Sequence, residues 1–363
     1  MKFRFPGIAD RYIIRNFLGT FAVAISLIIG ITIVFDISEK LDGFLGKFGK
    51  APTMNEIVMD YYLNFIPYFI TLFSPLFVFI SVIYFTSRLA YRYEIIALHT
   101  AGWSFNRLLV PYIAAAMLLA SGIFLVSNYV IPHANQTRIK FERTYLKRQS
   151  LSTPNTHQKV SDVEYVYCER FDMEAKKAVR FSYERIENSQ LTYRILCDEA
   201  RYDSLTGVWH LYRYMAGKTG EKGWRRGAVM DTVFPFNHEI FRVDVKVVEL
   251  MSNVELEAFI EGEKKKGSAF LPYYEVEAHS RTANPMAAII LTLIAVPIAS
   301  RKLRGGIGIQ LAFGITLAFT YVFIQKVTNS FAISGVIPPW LGVWLPNFIF
   351  GGIGIILSKF AQR

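Results

Sequence analysis

Long stretches of this chain are apolar on every side, and they fall into two groups of three. Residues 17–35 and 307–324 contain no charged residue, and a bilayer core demands about 20 such residues of a helix. The pattern predicts a first helix over residues 15–35, a second over 57–86 and a third over 106–130 that ends at Pro132. A fourth begins near Tyr273 or His279 and ends near Ser300, a fifth covers 307–326, and a sixth covers 340–357. Thr53 with Glu56 three residues on has the spacing of a capping box ahead of the second helix. Pro67 and Pro75 predict kinks in the second helix, and Pro285 and Pro297 lie inside the fourth. In a bundle, neighbouring helices satisfy the carbonyls that a proline frees. Residues 36–50 are polar and Gly-rich, which reads as a loop or an interfacial turn.

Between the two groups the period changes from helical to twofold. Val163-Glu-Tyr-Val-Tyr-Cys-Glu, Val179-Arg-Phe-Ser-Tyr and Leu191-Thr-Tyr-Arg-Ile-Leu-Cys alternate apolar with polar positions. Asp203-Ser-Leu-Thr-Gly207 is a turn signal. Short alternating strands at this spacing predict an antiparallel sandwich or jelly roll, and residues 253–266 a short helix leading back to the membrane. The fold class is an α-helical membrane protein of six transmembrane helices with an inserted all-β, jellyroll-like domain. Its divisions are 1–132, 133–271 and 272–363.

Charge sharpens this picture. The net charge is +11 over 363 residues. Residues 133–281 hold 24 Lys+Arg and 22 Asp+Glu, leaving 16 basic and 7 acidic residues elsewhere. The excess flanks the apolar runs instead of forming the stripe that phosphate backbones require, so nucleic-acid binding is excluded. One side gathers Lys2, Arg4, Arg11, Arg15, Arg88, Arg92, Arg107, Arg301, Lys302, Arg304, Lys359 and Arg363 against only Asp10 and Glu94. The positive-inside rule makes that side cytoplasmic. Both termini are then inside and the β domain is periplasmic. The N-terminal run is too long for a signal-peptide core and reads as a retained helix. Cys168 and Cys197 fall in the β domain. An oxidising periplasm permits a disulfide between them, and the alternative is two separate buried thiols.

Residues 87–103 are too short and too charged to span. Leu89, Tyr93, Ile96 and Ala97 share a face at helical spacing around Glu94. Such a helix either docks into a groove on a soluble partner or lies on lipid headgroups with Arg88 and Arg92 as anchors. The run Tyr93-Glu-Ile-Ile-Ala-Leu-His-Thr-Ala-Gly-Trp-Ser104 resembles the coupling-helix motif of the LptF/LptG lipopolysaccharide-export permease family. Asp10-Arg-Tyr-Ile13 is also similar, and so is Gly335-Val-Ile-Pro-Pro-Trp-Leu-Gly-Val-Trp-Leu-Pro346, the latter closer to the G-type branch.

The resemblance implies the G-type half of an ATP-binding-cassette exporter. An LptF-type permease, an LptB-type ATPase dimer and an LptC-type bitopic protein would be its partners. Lipopolysaccharide would leave the inner membrane for a periplasmic LptA-type bridge. ATP and Mg would sit on the partner ATPase and no cofactor on this chain, which contains no G-x-x-x-x-G-K-[ST] phosphate loop. Glu94, Leu98, Gly102 and Arg304 would couple the ATPase, although topology alone also accounts for Arg304. Lys40 matches a lysine near the mouth of the family's lipid cavity, or is a solvated loop lysine beside Glu39 and Asp42. A basic residue of that branch inside helix one is absent from Gly30-Ile-Thr-Ile-Val-Phe35. Lys326 is a second phosphate contact between helices one and five, or a snorkelling lysine. Phe21, Ile25, Ile28, Phe313, Leu317 and Tyr321 would line the acyl cavity. Glycines at 305, 306, 308, 351, 352 and 354 would permit close helix packing.

The six histidines are scattered, and none has metal-ligand spacing such as H-E-x-x-H. The alternative functions are a periplasm-facing scaffold and an envelope-lipid enzyme. The second lacks a recognisable nucleophile or metal cluster.

Overall fold

The structure, a computed structural model, describes residues 7–47, 49–146, 152–187, 190–218, 223–241, 245–266, 268, 270–302 and 306–361. Among the described residues six helices are long and apolar enough to cross a membrane. The first is α1 (Ile8–Phe44). The second opens with a π-helical stretch, Glu56–Tyr62, and continues as α2 (Leu63–Tyr91). After the short α3 (Glu94–Thr100), the third spans α4 (Phe105–Leu125), a π-helical Val126–Val130, α5 (Ile131–Phe141) and a π-helical Glu142–Leu146. Strands β1 (Ser152–Lys159), β2 (Glu164–Asp172), β3 (Lys177–Glu187), β4 (Gln190–Tyr202), β5 (Trp209–Lys218) and β6 (Arg225–Thr232) follow. The chain returns through α6 (Asn253–Lys266) to α7 (Leu271–Ala299), α8 (Gly306–Ile333) and α9 (Pro339–Ala361).

The first helix starts at Ile8, seven residues before the expected position, while the second starts where its sequence signal places it. Thr53 N donates to Glu56 Oε2 at 2.7 Å and Glu56 N donates to Thr53 Oγ1 at 3.3 Å, which closes the expected capping box. Helix ends depart from the sequence signals. The third helix does not stop at Pro132 but runs on to Leu146. The carbonyl that Pro132 leaves unpaired belongs to Asn128, inside the widened Val126–Val130 turn, where the ring finds room. Helix α8 outlasts its predicted end by seven residues and closes at Gly335, φ +79°. There Val336 N donates to Phe331 O at 3.0 Å, a helix stop that needs a left-handed residue.

The chain folds as two compact units. The helical unit comprises Met1–Lys147, Val248–Glu257 and Pro272–Arg363. Within it α2 packs against α1 and against α8, and one core cluster joins Phe17 of α1, Phe79 and Val82 of α2, Leu108 of α4 and Leu291 and Ile294 of α7. Close helix approach falls at Gly314, where an added Cβ would meet Ile83, and at Gly342, where it would lie 2.9 Å from Thr328 O. Gly354 is also tight, but Gly306, Gly308, Gly351 and Gly352 face open space, and Gly305 lies outside the described residues.

In the other unit, Arg148–Val247 with Ala258–Leu271, the described strands form one antiparallel sheet in chain order, β1 to β6. The jellyroll-like expectation takes this form because each alternating stretch is joined to the next by a short connection, without Greek-key crossovers. The Asp203–Gly207 turn forms, with Gly207 N donating to Asp203 O at 2.9 Å and Gly207 at φ +72°. Trp209, Phe171, Phe181 and Phe241 fill the core.

Candidate coupling helix and membrane-facing sites

Helix α3 is made by two left-handed residues. Tyr93 has φ +62°, a conformation that costs an L-residue about 1–2 kcal/mol. Contacts hold it there: Lys302 Nζ donates to the phenol oxygen at 2.7 Å and sits 4.1 Å from the ring centroid. The same ammonium lowers the phenol's pKa. At the other end Gly102 has φ +91°. Trp103 N donates to Leu98 O at 3.0 Å and Gly102 N to His99 O at 2.9 Å, the paired bonds of a Schellman stop. Seven residues are thus set off between α2 and α4. Leu89 does not share their face, because it belongs to α2 and is buried. Ile95 points inward, Leu98 is half-buried, and Ile96 and Ala97 face out beside Tyr93.

The mount beneath α3 is polar and specific. Glu94, in the first turn where a helix dipole favours a carboxylate, accepts from Tyr12 Oη of α1 at 3.2 Å. Asp10 is fully buried and pairs with the Arg107 guanidinium at 2.5 Å. That guanidinium lies 4.3 Å from the Trp103 ring centroid. The starts of α1 and α4 are thereby tied together under the helix. The sequence reading missed Tyr12, Asp10 and Arg107 as a group. The one signal was Asp10-Arg-Tyr-Ile13, which carries two of the three. Arg304 lies outside the described residues.

At the opposite end of the bundle, α1 is longer than expected, and this changes Lys40. It is not a loop lysine beside Glu39 and Asp42. It stands one helical turn above Asp36, with Nζ 2.6 Å from Asp36 Oδ1 and 4.0 Å from Glu142 Oε1. It also donates to Tyr61 Oη. Tyr61 and Tyr62 donate to the same Asp36 carboxylate, the shortest contact being 3.0 Å. The charge of Lys40 is already compensated by neighbours.

The acyl-cavity candidates divide. Phe21, Ile25 and Tyr321 are buried in the helical unit's own core, with Ile28 and Leu317 half-buried against it. Tyr321 Oη donates to Asn347 at 2.9 Å. Only Phe313 faces fully outward, in company with Val23 and Leu27 of α1 and Phe319 and Phe323 of α8. An open groove of about 670 Å³ lies along Gly19, Val23, Ile80, Tyr84 and Leu311, between α1, α2 and α8. Lys326 is not between helices one and five; it lines a separate cavity whose walls are α2, the Val126–Val130 and α5 region, α7 and α8.

Comparison with known proteins adds the decisive observation. Residues 11–359 match the model of the lipopolysaccharide export system permease LptF/LptG family. The chain belongs to the LptF/LptG family. It is 19% identical over 349 residues to the lipopolysaccharide export system permease protein LptG of Escherichia coli K12, covering 95% of this chain and 96% of that protein. The LptG of Escherichia coli O6:H1 is equally similar. This LptF/LptG permease is therefore a multi-pass inner-membrane transport subunit of lipopolysaccharide export.

Two further features of this permease bear on its sites. Cys168 of β2 and Cys197 of β4 are buried thiols, and both pair in register with Phe181 of the intervening β3. Two strand spacings, about 9.5 Å, exceed the reach of a disulfide. Burial pushes the Cys197 thiol up to about 12. Arg281 of α7 is buried and held by Val248 O and Met251 O at 2.8 and 2.9 Å. The sequence reading passed over it, although an ionisable residue inside an apolar span marks a site by default.

Proposed function

We propose that this permease is the G-type half of an ATP-binding-cassette exporter, driven through α3 by a separate cytoplasmic ATPase. The observation that carries the reading is α3 itself. A seven-residue helix stands between two long rods, stopped at both ends by left-handed residues, with Glu94 in its first turn and Ile96 and Ala97 presented outward. A short projecting helix of this kind suits a groove on a soluble partner. Movement of the partner reaches α1 through Tyr12 and α4 through the Gly102 stop, without a flexible linker. ATP and Mg belong to the partner, and Arg304 is a further coupling contact.

In this reading both termini and α3 are cytoplasmic and the β domain is periplasmic, where it hands lipopolysaccharide to an LptC-type protein and an LptA-type bridge. The groove between α1, α2 and α8 is the half-cavity for acyl chains, with Val23, Ile80 and Leu311 lining it and an LptF-type permease closing it; the exposed Phe313 and Leu27 lie outside that lining. Phe21, Ile25, Ile28, Leu317 and Tyr321 set the spacing of the rods behind. Lys40, held by Asp36, keeps the outer ends of the first two spans together beside the lipid.

The test is Glu94→Lys in the full complex. Loss of one charge contact at a docked interface costs about 2–5 kcal/mol. The variant should insert normally, lose at least tenfold in co-purified ATPase or in coupled hydrolysis, and stop exporting lipopolysaccharide. Normal export by Glu94→Lys would refute the role of α3.

A further inference from the structure

A second site lies away from the groove between α1, α2 and α8. The cavity that Lys326 lines holds about 510 Å³, within the range of small-ligand pockets, about 300–1,000 Å³. Its residues all belong to the helical unit, at the end of the rods opposite α3. Apolar groups such as Ile131 and Val322 share its wall with polar ones.

Three properties define what fits. The first is charge: the wall carries two carboxylates, Glu249 and Glu277, and two cations, Arg281 and Lys326. The site is neutral, so it favours a zwitterion over a polyanion. The second is a cation at the rim. Arg281 is committed to Glu277 at 3.3 Å and to Asn253 Oδ1 at 2.8 Å, besides its two carbonyls. Lys326 is exposed and, among the described residues, has no hydrogen bond or ion pair. The third is a shortage of donors. Asn135 is fully buried, and its amide nitrogen donates to Glu249 O at 3.4 Å. That bond fixes the amide's orientation and leaves Asn135 Oδ1 without a donor, as is Asn329 Oδ1 nearby on α8. Buried acceptors of this kind normally find partners.

We propose that this cavity binds the headgroup of a zwitterionic phospholipid that carries a primary amine. The phosphate meets the Lys326 ammonium at the rim. The lipid's own ammonium, with three N–H donors, supplies the oxygens of Asn135 and Asn329 within the field of Glu277. A quaternary amine has no N–H to give, and a glycerol headgroup, although its hydroxyls can donate, brings a net negative charge and no cation to the field of Glu277. The site thus discriminates ethanolamine-type from choline-type and glycerol-type lipids. It is independent of lipopolysaccharide export and of docking at α3.

The experiment uses the full-length protein in detergent, equilibrated with equal amounts of phosphatidylethanolamine, phosphatidylcholine and phosphatidylglycerol, with retained lipid counted by native mass spectrometry. Phosphatidylethanolamine should be retained about tenfold over the other two. Lys326→Ala and Asn329→Leu should each bring that ratio close to one with an unchanged circular-dichroism spectrum, whereas Leu205→Ala on the β4–β5 turn should leave it intact. Excess lipopolysaccharide should not displace the bound lipid. Equal retention of the three lipids, survival of the preference in both variants, or displacement by lipopolysaccharide would each overturn the proposal.

Discussion

Gly102 carries the stop of α3 on backbone conformation alone, since an added Cβ meets nothing within 4 Å. Gly102→Ala therefore isolates the cost of a left-handed alanine, about 1–2 kcal/mol. Docking of the ATPase to this variant should weaken by roughly 5–30-fold, read by titrating the purified subunits, with folding of the rest unchanged. In the β unit, Tyr183 Oη and Arg185 Nη2 donate to Glu164 Oε1 at 2.6 and 2.7 Å, and these bonds hold its carboxyl below the usual range. The stability they lend is complete above the unfolded-state value, about 4.3. It is lost as pH falls through the depressed native value. Amide-exchange protection of β2 and β3 should fall in that acid window, and Glu164→Gln should lower protection at neutral pH and remove the dependence.

Among the rods, the contact between α8 and α9 is the least forgiving. At Gly342 a methyl group would press on Thr328 O and lie 2.5 Å from Ala332 Cβ, and neither is the far end of a flexible side chain. Gly342→Ala should destabilise by about 1–3 kcal/mol, seen as a lower melting temperature in detergent. Gly351→Ala, in open space, should melt like the parent. The six spans were legible because each must supply its own apolar length, and so was the start of the second, as Thr53 and Glu56 illustrate, whereas the first begins at Ile8 and not near Arg15. The ends of the spans were not legible. The polar run that begins at Asp36 reads as a loop, yet an Asp36–Lys40 pair and two tyrosines keep it helical to Phe44. Inward and outward faces were also hidden. Lipid is as apolar as a helix interior, so Phe21 and Phe313 look alike in sequence and part only on packing.

For the whole molecule, orientation is the quantity on which the proposed function turns, and it can be measured from two positions. Leu205→Cys on the β4–β5 turn and Ile96→Cys on α3 both stand exposed. In a background lacking Cys168 and Cys197, the first should react with a membrane-impermeant maleimide in intact cells and the second only after the inner membrane is opened. The inserted β unit was legible from its twofold period. Its single-sheet connectivity and the separation of the two thiols were not, because alternation records which face a residue takes and not which strand it meets.

The widened turns have a mechanical meaning of their own. At Glu56–Tyr62 in the second rod, and at Val126–Val130 and Glu142–Leu146 in the third, each widened turn carries a surplus residue in its winding. Passing such a surplus one step along an α-helix swings every side chain beyond it by about 100° without breaking the rod. These two rods are therefore stiff where an engine would push and supple at the far end.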